Sequence, residues 1–185
     1  IIDPVEYTGE KLFSGLIDNE LYTVVDNGGI DHGEYDVVLT LVDANNYKWD
    51  TSDEATITVK FVISTAINKW VEAPSISSWE YESAGDLGKA TAMHGGVLIE
   101  YKLASAPDSA YSTTLPTLPG DYVARFTTTD DNYIILSVIK NFSITKRRIT
   151  PPTQTQTSFI YTGSVITSGL TDGIGYAVVA DEGRT

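Results

Sequence analysis

The chain repeats itself at a fixed offset. Tyr7-Thr8-Gly9 is followed fifteen residues after its tyrosine by Tyr22-Thr23-Val24-Val25, and Tyr161-Thr162-Gly163 is followed at the same interval by Tyr176-Ala177-Val178-Val179. The separation is 154 residues at both ends, and Ser14-Gly15-Leu16 returns as Ser168-Gly169-Leu170 at that same separation. A fixed period arises from duplicated units that solve one packing problem with one pattern, so a slice of a repeat array is expected rather than one closed domain.

A weaker echo lies inside the first. Gly33-Glu34-Tyr35-Asp36-Val37 runs on to Asp43-Ala44-Asn45-Asn46-Tyr47, and Gly120-Asp121-Tyr122-Val123-Ala124 runs on to Asp130-Asp131-Asn132-Tyr133. Phe61 and Ile63 then match Phe142 and Ile144 at a spacing of 81. The order that follows is a module of one subtype over 1–65, a divergent second subtype over 66–146, and a third module of the first subtype over 147–185. The third stops before any Gly-x-Tyr strand, so its strands are expected to fray or to pair with a neighbour.

Strand signals dominate, and no amphipathic helix stands out. Residues 36–42, 55–63, 97–103, 122–128, 134–144 and 175–179 are β-branched or aromatic with period-two character. In Thr56-Ile57-Thr58-Val59-Lys60-Phe61-Val62-Ile63 the alternation buries Ile57, Val59, Phe61 and Ile63 and turns Lys60 to water. Glycine-rich and Asp/Asn-rich turns separate these runs. The expected fold is all-β, tandem Ig-like β-sandwich modules in an extended array. The alternative is a β-grasp-like repeat, which needs a helix that the sequence does not offer.

Asp31-His32-Gly33-Glu34-Tyr35-Asp36-Val37 resembles the Asp-x-Gly-x-Tyr-x-Cys signature of immunoglobulin domains, with Val37 at the cysteine position. In that corner the tyrosine hydroxyl bonds back to upstream backbone, and the glycine two residues earlier allows a tight approach. The second copy keeps Gly120, Tyr122 and a small Ala124, but Leu118 replaces the aspartate. Joints such as Ile63–Ile67 and Ile144–Ile149 pass directly from one module to the next, without a flexible spacer, so little hinge freedom is expected. The polar, proline-bearing stretch 150–157 reads as an extended start to the third module.

Taken together, Tyr-Thr-Gly, Gly-x-Tyr, Asn-Tyr and Phe-x-Ile-[Ser/Thr] resemble the bacterial Ig-like repeat modules of Gram-positive (Firmicutes-type) cell-surface and adhesin proteins. Asn68-Lys69-Trp70, Ala73-Pro74-Ser75-Ile76 and Trp79-Glu80-Tyr81 are similar to a divergent subtype that alternates in such arrays. The resemblance implies an extracellular, wall-anchored parent in which the modules act as stalk or adhesive segments, and it brings no catalytic residue.

Composition narrows the function classes. The 185 residues carry 25 acidic and 12 basic side chains, a net charge of −13, which disfavours nucleic acid and anionic membrane surfaces as partners. No apolar run is long enough to insert into a membrane. There is no cysteine, hence no disulfide, thiolate nucleophile or cysteine-ligated metal. The two histidines, His32 and His94, sit beside glycines in turns of different modules and are expected at solvent, without a triad or metal role. Asp43, Asn45, Asp130 and Asp131 occupy equivalent loops where calcium could find oxygens, although the same residue types also stabilise turns by themselves. Trp49, Trp70 and Trp79 are the candidates for stacking on a sugar ring, against a packing role in a core or at the joint that Trp70 and Trp79 flank. No cofactor is expected. The leading expectation is a non-enzymatic stalk whose partners are the neighbouring modules of its own chain. The alternatives are a module that binds host glycan or surface protein, and an accessory region of a secreted carbohydrate-active enzyme.

Overall fold

The structure is a computed structural model that describes residues 3–153, 158–160 and 162–179. Its strands are β1 (Val5–Glu6), β2 (Tyr22–Asp26), β3 (Gly33–Leu41), β4 (Thr56–Ser64), β5 (Trp70–Ser75), β6 (Trp79–Glu80), β7 (Lys89–Ala92), β8 (Val97–Leu103), β9 (Gly120–Thr128) and β10 (Ser137–Thr145). Apart from one turn of 3-10 helix at Asp108–Ala110, no helix occurs among the described residues. The fold is therefore all-β, with curled sheets consistent with a β-sandwich, and the β-grasp alternative lacks its helix. No helix among the described residues is long and apolar enough to cross a membrane.

The two halves of the chain share one topology. The first sheet has the order β1-β4-β3-β2 and the second β6-β10-β9-β8. In each, a two-residue strand pairs parallel with the last long strand, Val5 opposite Ile63 and Trp79 opposite Ile144. The other pairings are antiparallel: β2 with β3 and β3 with β4, then β8 with β9 and β9 with β10. A two-stranded β5-β7 sheet accompanies the second half. Pro74 lies in β5, where the register slips between Glu72 and Ser75, as expected of a residue that cannot donate to a ladder.

Each sheet has its own core. Val37, Leu39, Phe61 and Ile63 form the first, with Tyr7, Leu12, Leu16 and Trp49 packed against it. Tyr101, Tyr122, Ala124, Phe126, Phe142 and Ile144 form the second, covered by Trp70, Ile76, Trp79 and Leu115. Val37 and Ala124, each two residues after the tyrosine of its Gly-x-Tyr segment, are fully buried. Lys60 faces outward, as the alternation requires, and pairs with Asp36 across the β3-β4 ladder.

The tyrosine corner forms in both halves. The Tyr35 hydroxyl donates to the Asp31 carbonyl at 2.7 Å and the Tyr122 hydroxyl to the Leu118 carbonyl at 2.9 Å. The acceptor is backbone, which is why leucine serves as well as aspartate at that position. The approach glycine in the first half is not Gly33, which has open space above it. It is Gly29, onto which the Tyr35 ring lies flat. In the second half Gly120 does face the Tyr122 ring, at 3.3 Å from a Cβ built there. Tyr122→Phe is expected to lower stability by about 1 kcal/mol, because it leaves one part-buried carbonyl without its donor. Urea unfolding checks this, and an unchanged midpoint contradicts it.

A second shared device is an aspartate that accepts two amides. Asp26 takes Gly28 N and Ser14 N at 2.8 and 2.6 Å, and Asp86 takes Gly88 N and Ser77 N at 2.8 and 2.7 Å. Desolvation pushes the Asp26 carboxyl upward, but the bonds from Ser14 and Gly28 outweigh it and hold the group below its ordinary value. At Asp86 the Gly88 amide is the largest influence, with Ser77 adding to it against desolvation, and this carboxyl too is lowered. A lowered folded pKa gives stability that is present above the unfolded value and lost as pH falls through the folded one. Asp86→Asn should therefore lower the urea midpoint at pH 7, with the gap to the parent closing in strong acid. An equal gap at both pH values contradicts this.

The 154-residue echo is visible in local bonding. Leu16 N bonds Ser14 Oγ and Leu170 N bonds Ser168 Oγ, while Val24 N bonds Asp18 Oδ1 and Val178 N bonds Asp172 Oδ1. Gly9, Gly15, Gly163 and Gly169 all have positive φ. Yet 175–179 is not a strand. The region holds only an isolated bridge between Gly173 and Tyr176, because nothing among the described residues lies beside it as β3 lies beside β2. Residues 150–153 are exposed and irregular. Tyr161, 154–157 and 180–185 lie outside the described residues.

Candidate functional site

A polar cluster bonds the two halves to each other, and Asn132 is its centre. This residue follows Asp130 in the turn after β9, where Asn132 N donates to Asp130 Oδ1 at 3.1 Å and Tyr133 N to the Asp130 carbonyl at 3.3 Å. The turn leaves the side chain free to reach the first half. Asn132 Oδ1 accepts His32 N at 2.7 Å and its Nδ2 donates to Asp31 Oδ1 at 3.0 Å. Its carbonyl accepts Ala66 N at 3.0 Å, and Ile134 N donates to the Ala66 carbonyl at 2.8 Å. The segment leaving β4 is thereby paired in parallel with Tyr133.

Aromatic rings close the joint. Tyr133 meets Tyr7 edge-on at 5.3 Å between centroids and stacks on the His94 imidazole at 3.9 Å. The His94 turn is held by Asn68, a buried side chain whose Nδ2 donates to the His94 carbonyl and whose Oδ1 accepts His94 N and Lys69 N. Both histidines are half-buried at this joint rather than at open solvent, and His32 Nδ1 is buried without a partner. Burial raises the Tyr7 pKa first, and Tyr133, Asp130 and Asp31 act in the same direction.

This arrangement fixes an angle between two sheets; it presents no nucleophile beside a base. Asn132→Ala removes two side-chain hydrogen bonds worth about 1 kcal/mol each and should loosen the joint while both halves stay folded. Residual dipolar couplings measure this directly: one alignment tensor fits the parent, and two are needed for the variant. A single shared tensor in Asn132→Ala contradicts it.

The tryptophans are not brought together as a platform. Trp49 packs on the first core, with its ring 5.7 Å from Tyr22 and its Nε1 donating to the Ala55 carbonyl. Trp70 and Trp79 are half-buried and pack on the second core, Trp79 stacked on Phe142 at 5.2 Å. They do not form the joint: Tyr7, Asp31, His32, Ala66, Asn132 and Tyr133 do. Two of the calcium candidates, Asp43 and Asp130, accept hydrogen bonds within their turns, and Asn45 donates its amide to Asp43. Asp43 Oδ1 takes the Asn45 and Asn46 amides and Oδ2 the Asn46 side chain, and those bonds hold the Asp43 carboxyl below its ordinary value, the Asn46 side chain foremost. Asp130 and Asp131 flank the Asn132 turn. Among the described residues, no three His, Cys, Asp or Glu side chains gather as a metal would require. Sequence reasoning missed Asn68 and the bridging role of Asn132; the Asn-Tyr echo was the signal that could have pointed to the latter.

No family model matches the chain, and neither a curated protein nor a solved structure compared with it is a match.

Proposed function

We propose that this chain is a non-enzymatic stalk segment built of tandem Ig-like modules, which projects other parts of a bacterial surface protein away from the envelope. The observation that carries this reading is the repeated topology: two sheets of matching strand order, each with its own core, held by a bonded joint. Such a series suits reach better than a single enclosed pocket. The tyrosine corner repeated in both halves supports the Ig-like assignment, and the net charge of −13 suits a surface displayed at high density outside a cell.

The test is reach. The chain is placed between a cell-wall anchor and an epitope, and antibody access is compared with that given by a Gly/Ser linker of equal length. A flexible linker collapses towards the anchor, so the chain should raise access at equal display. Equal or poorer access contradicts the stalk reading. Saturable binding to a glycan array that disappears in Trp79→Ala would replace it with the binding-module reading.

A further inference from the structure

The two matching sheets differ at one edge. The last long strand of each is paired along its length on one side and only near its end on the other. There β4 meets β1 at Ile63 and Ser64, and β10 meets β6 at Ile144 and Thr145. The β9-β10 ladder continues to Thr128 N, which donates to the Leu136 carbonyl at 3.0 Å, so Val138, Lys140 and Phe142 turn their backbone groups to β9. Ser137, Ile139 and Asn141 turn theirs outward. They are in phase with Ser143, whose N–H donates to Ser78 Oγ at 2.9 Å, and with Thr145, whose carbonyl accepts Tyr81 N at 2.8 Å. Among the described residues, no strand pairs with that outward side from Ser137 to Asn141. The chain before β6 is held elsewhere, Ser77 N on Asp86 Oδ2 at 2.7 Å and β5 on β7.

The other edges carry guards. Along β2, Asp18 Oδ1 accepts Val24 N at 2.6 Å and Asn19 Oδ1 accepts Tyr22 N at 3.0 Å, side chains standing in for a neighbouring strand. At β8, Ser112 and Tyr101 exchange both backbone bonds, at 2.7 and 3.0 Å. At β4 the edge presents Thr58 and Lys60, the latter paired with Asp36, and a lysine on an edge resists an added strand. The 81-residue spacing that matches Phe61 with Phe142 puts Ile139 where β4 has Thr58, and Asn141 where it has Lys60. Opposite Asn141 stands Val123 instead of an aspartate. The β10 edge thus keeps the open backbone of β4 without its ion pair, and its Ile139 is 57% exposed.

We propose that the β10 edge takes an extended, carboxylate-bearing peptide segment of a partner protein as an added strand over residues 137–141. Unpaired N–H and C=O groups at strand spacing specify an extended backbone as the occupant. The side chains specify its chemistry. Ile139 calls for an apolar residue opposite it, and Lys140 for a carboxylate. Lys140 stands where β4 has Val59, on the face of Phe142 and Ile144, yet it is exposed. It forms no ion pair among the described residues. A wholly apolar strand meets this lysine as a guard, whereas a carboxylate makes it a partner. A second copy would bring a lysine of its own and a further net charge of −13, so it is the poorer occupant. The edge keeps this property whether or not the chain is a stalk.

The probe is the end-blocked peptide Ser-Thr-Glu-Val-Val-Thr-Ser, whose antiparallel register sets a valine opposite Ile139 and the glutamate opposite Lys140. Amide exchange of the full chain is followed with and without about 1 mM peptide. The Ile139 and Asn141 N–H groups should become protected, while Val138 and Lys140, already bonded to β9, change little. Ile139→Thr installs the β4 residue, and Asn141→Pro removes an outward donor without touching a β9 bond. Each, confirmed as folded by circular dichroism, should bind at least about tenfold more weakly. Lys140→Glu should lose this peptide and take instead the version with lysine in place of glutamate. Unchanged exchange of Ile139 and Asn141 overturns the proposal, as does undiminished binding in both weakened variants. Protection that rises with protein concentration alone, without peptide, makes a second copy the occupant and overturns it too.

Discussion

Phe142→Ala is expected to cost the second half about 4 kcal/mol, the upper range for emptying an aromatic site in a core. Phe142 is 4% exposed and touches three other rings: Trp79 at 5.2 Å, Tyr122 at 5.5 Å and Tyr101 at 6.1 Å between centroids. Those rings cannot all close over the gap, since Trp79 is fixed by its strand pairing to β10 and Tyr122 by its corner bond. The first core shares no residue with this cluster, so the loss should fall on one half. Unfolding followed by tryptophan fluorescence should show the Trp70 and Trp79 transition moving to lower urea while the Trp49 transition stays near the parent's. A single transition that shifts as a whole contradicts separate cores.

Gly29→Ala carries the second large effect, about 3 kcal/mol by overpacking. Gly29 is buried, its backbone pairs with Leu12, and a Cβ there would enter the Tyr35 ring. Relief requires moving Tyr35 off its corner or pulling the Leu12 segment from the sheet. Either movement uncovers the first core. Hydrogen exchange of Leu12 N and Gly29 N, which bond the two backbones reciprocally, reports which gives way. Parent-like exchange and stability in Gly29→Ala contradict the close approach.

The long antiparallel strands were legible because their alternation matches one buried face: Val37 and Leu39 in β3, Phe61 and Ile63 in β4, Ala124 and Phe126 in β9. The tyrosine corner was legible from Gly-x-Tyr alone, although the glycine doing the close packing in the first half lies six residues before Tyr35 instead of two. The paired strands β1 and β6 were not legible, since two residues carry no period. Nor was β5, where Pro74 and a shifted register erase the alternation. The alternation over 134–144 begins before the strand does: Tyr133 and Ile134 are drawn into the joint, and β10 starts only at Ser137.

The joint itself was hidden for a different reason. The Asn132 side chain bonds residues 100 and 101 positions away, His32 and Asp31, and a turn sequence such as Asp-Asp-Asn-Tyr stabilises itself locally whether or not a neighbour is present. Calcium and turn readings of Asp130 and Asp131 competed on the same residues, with the partner out of view. The tryptophans misled in a related way. Their size fixed that they pack, but not against which core.

Stiffness at that joint is the claim on which the stalk reading depends, and the absence of cysteine makes it simple to measure. Spin labels at Glu54→Cys and Asp108→Cys, both exposed and in different halves, give a distance distribution by pulsed electron resonance. One narrow peak is expected for the otherwise native chain, broadening when Asn132→Ala is added. A broad distribution in the native background would contradict a fixed joint and the stalk built on it.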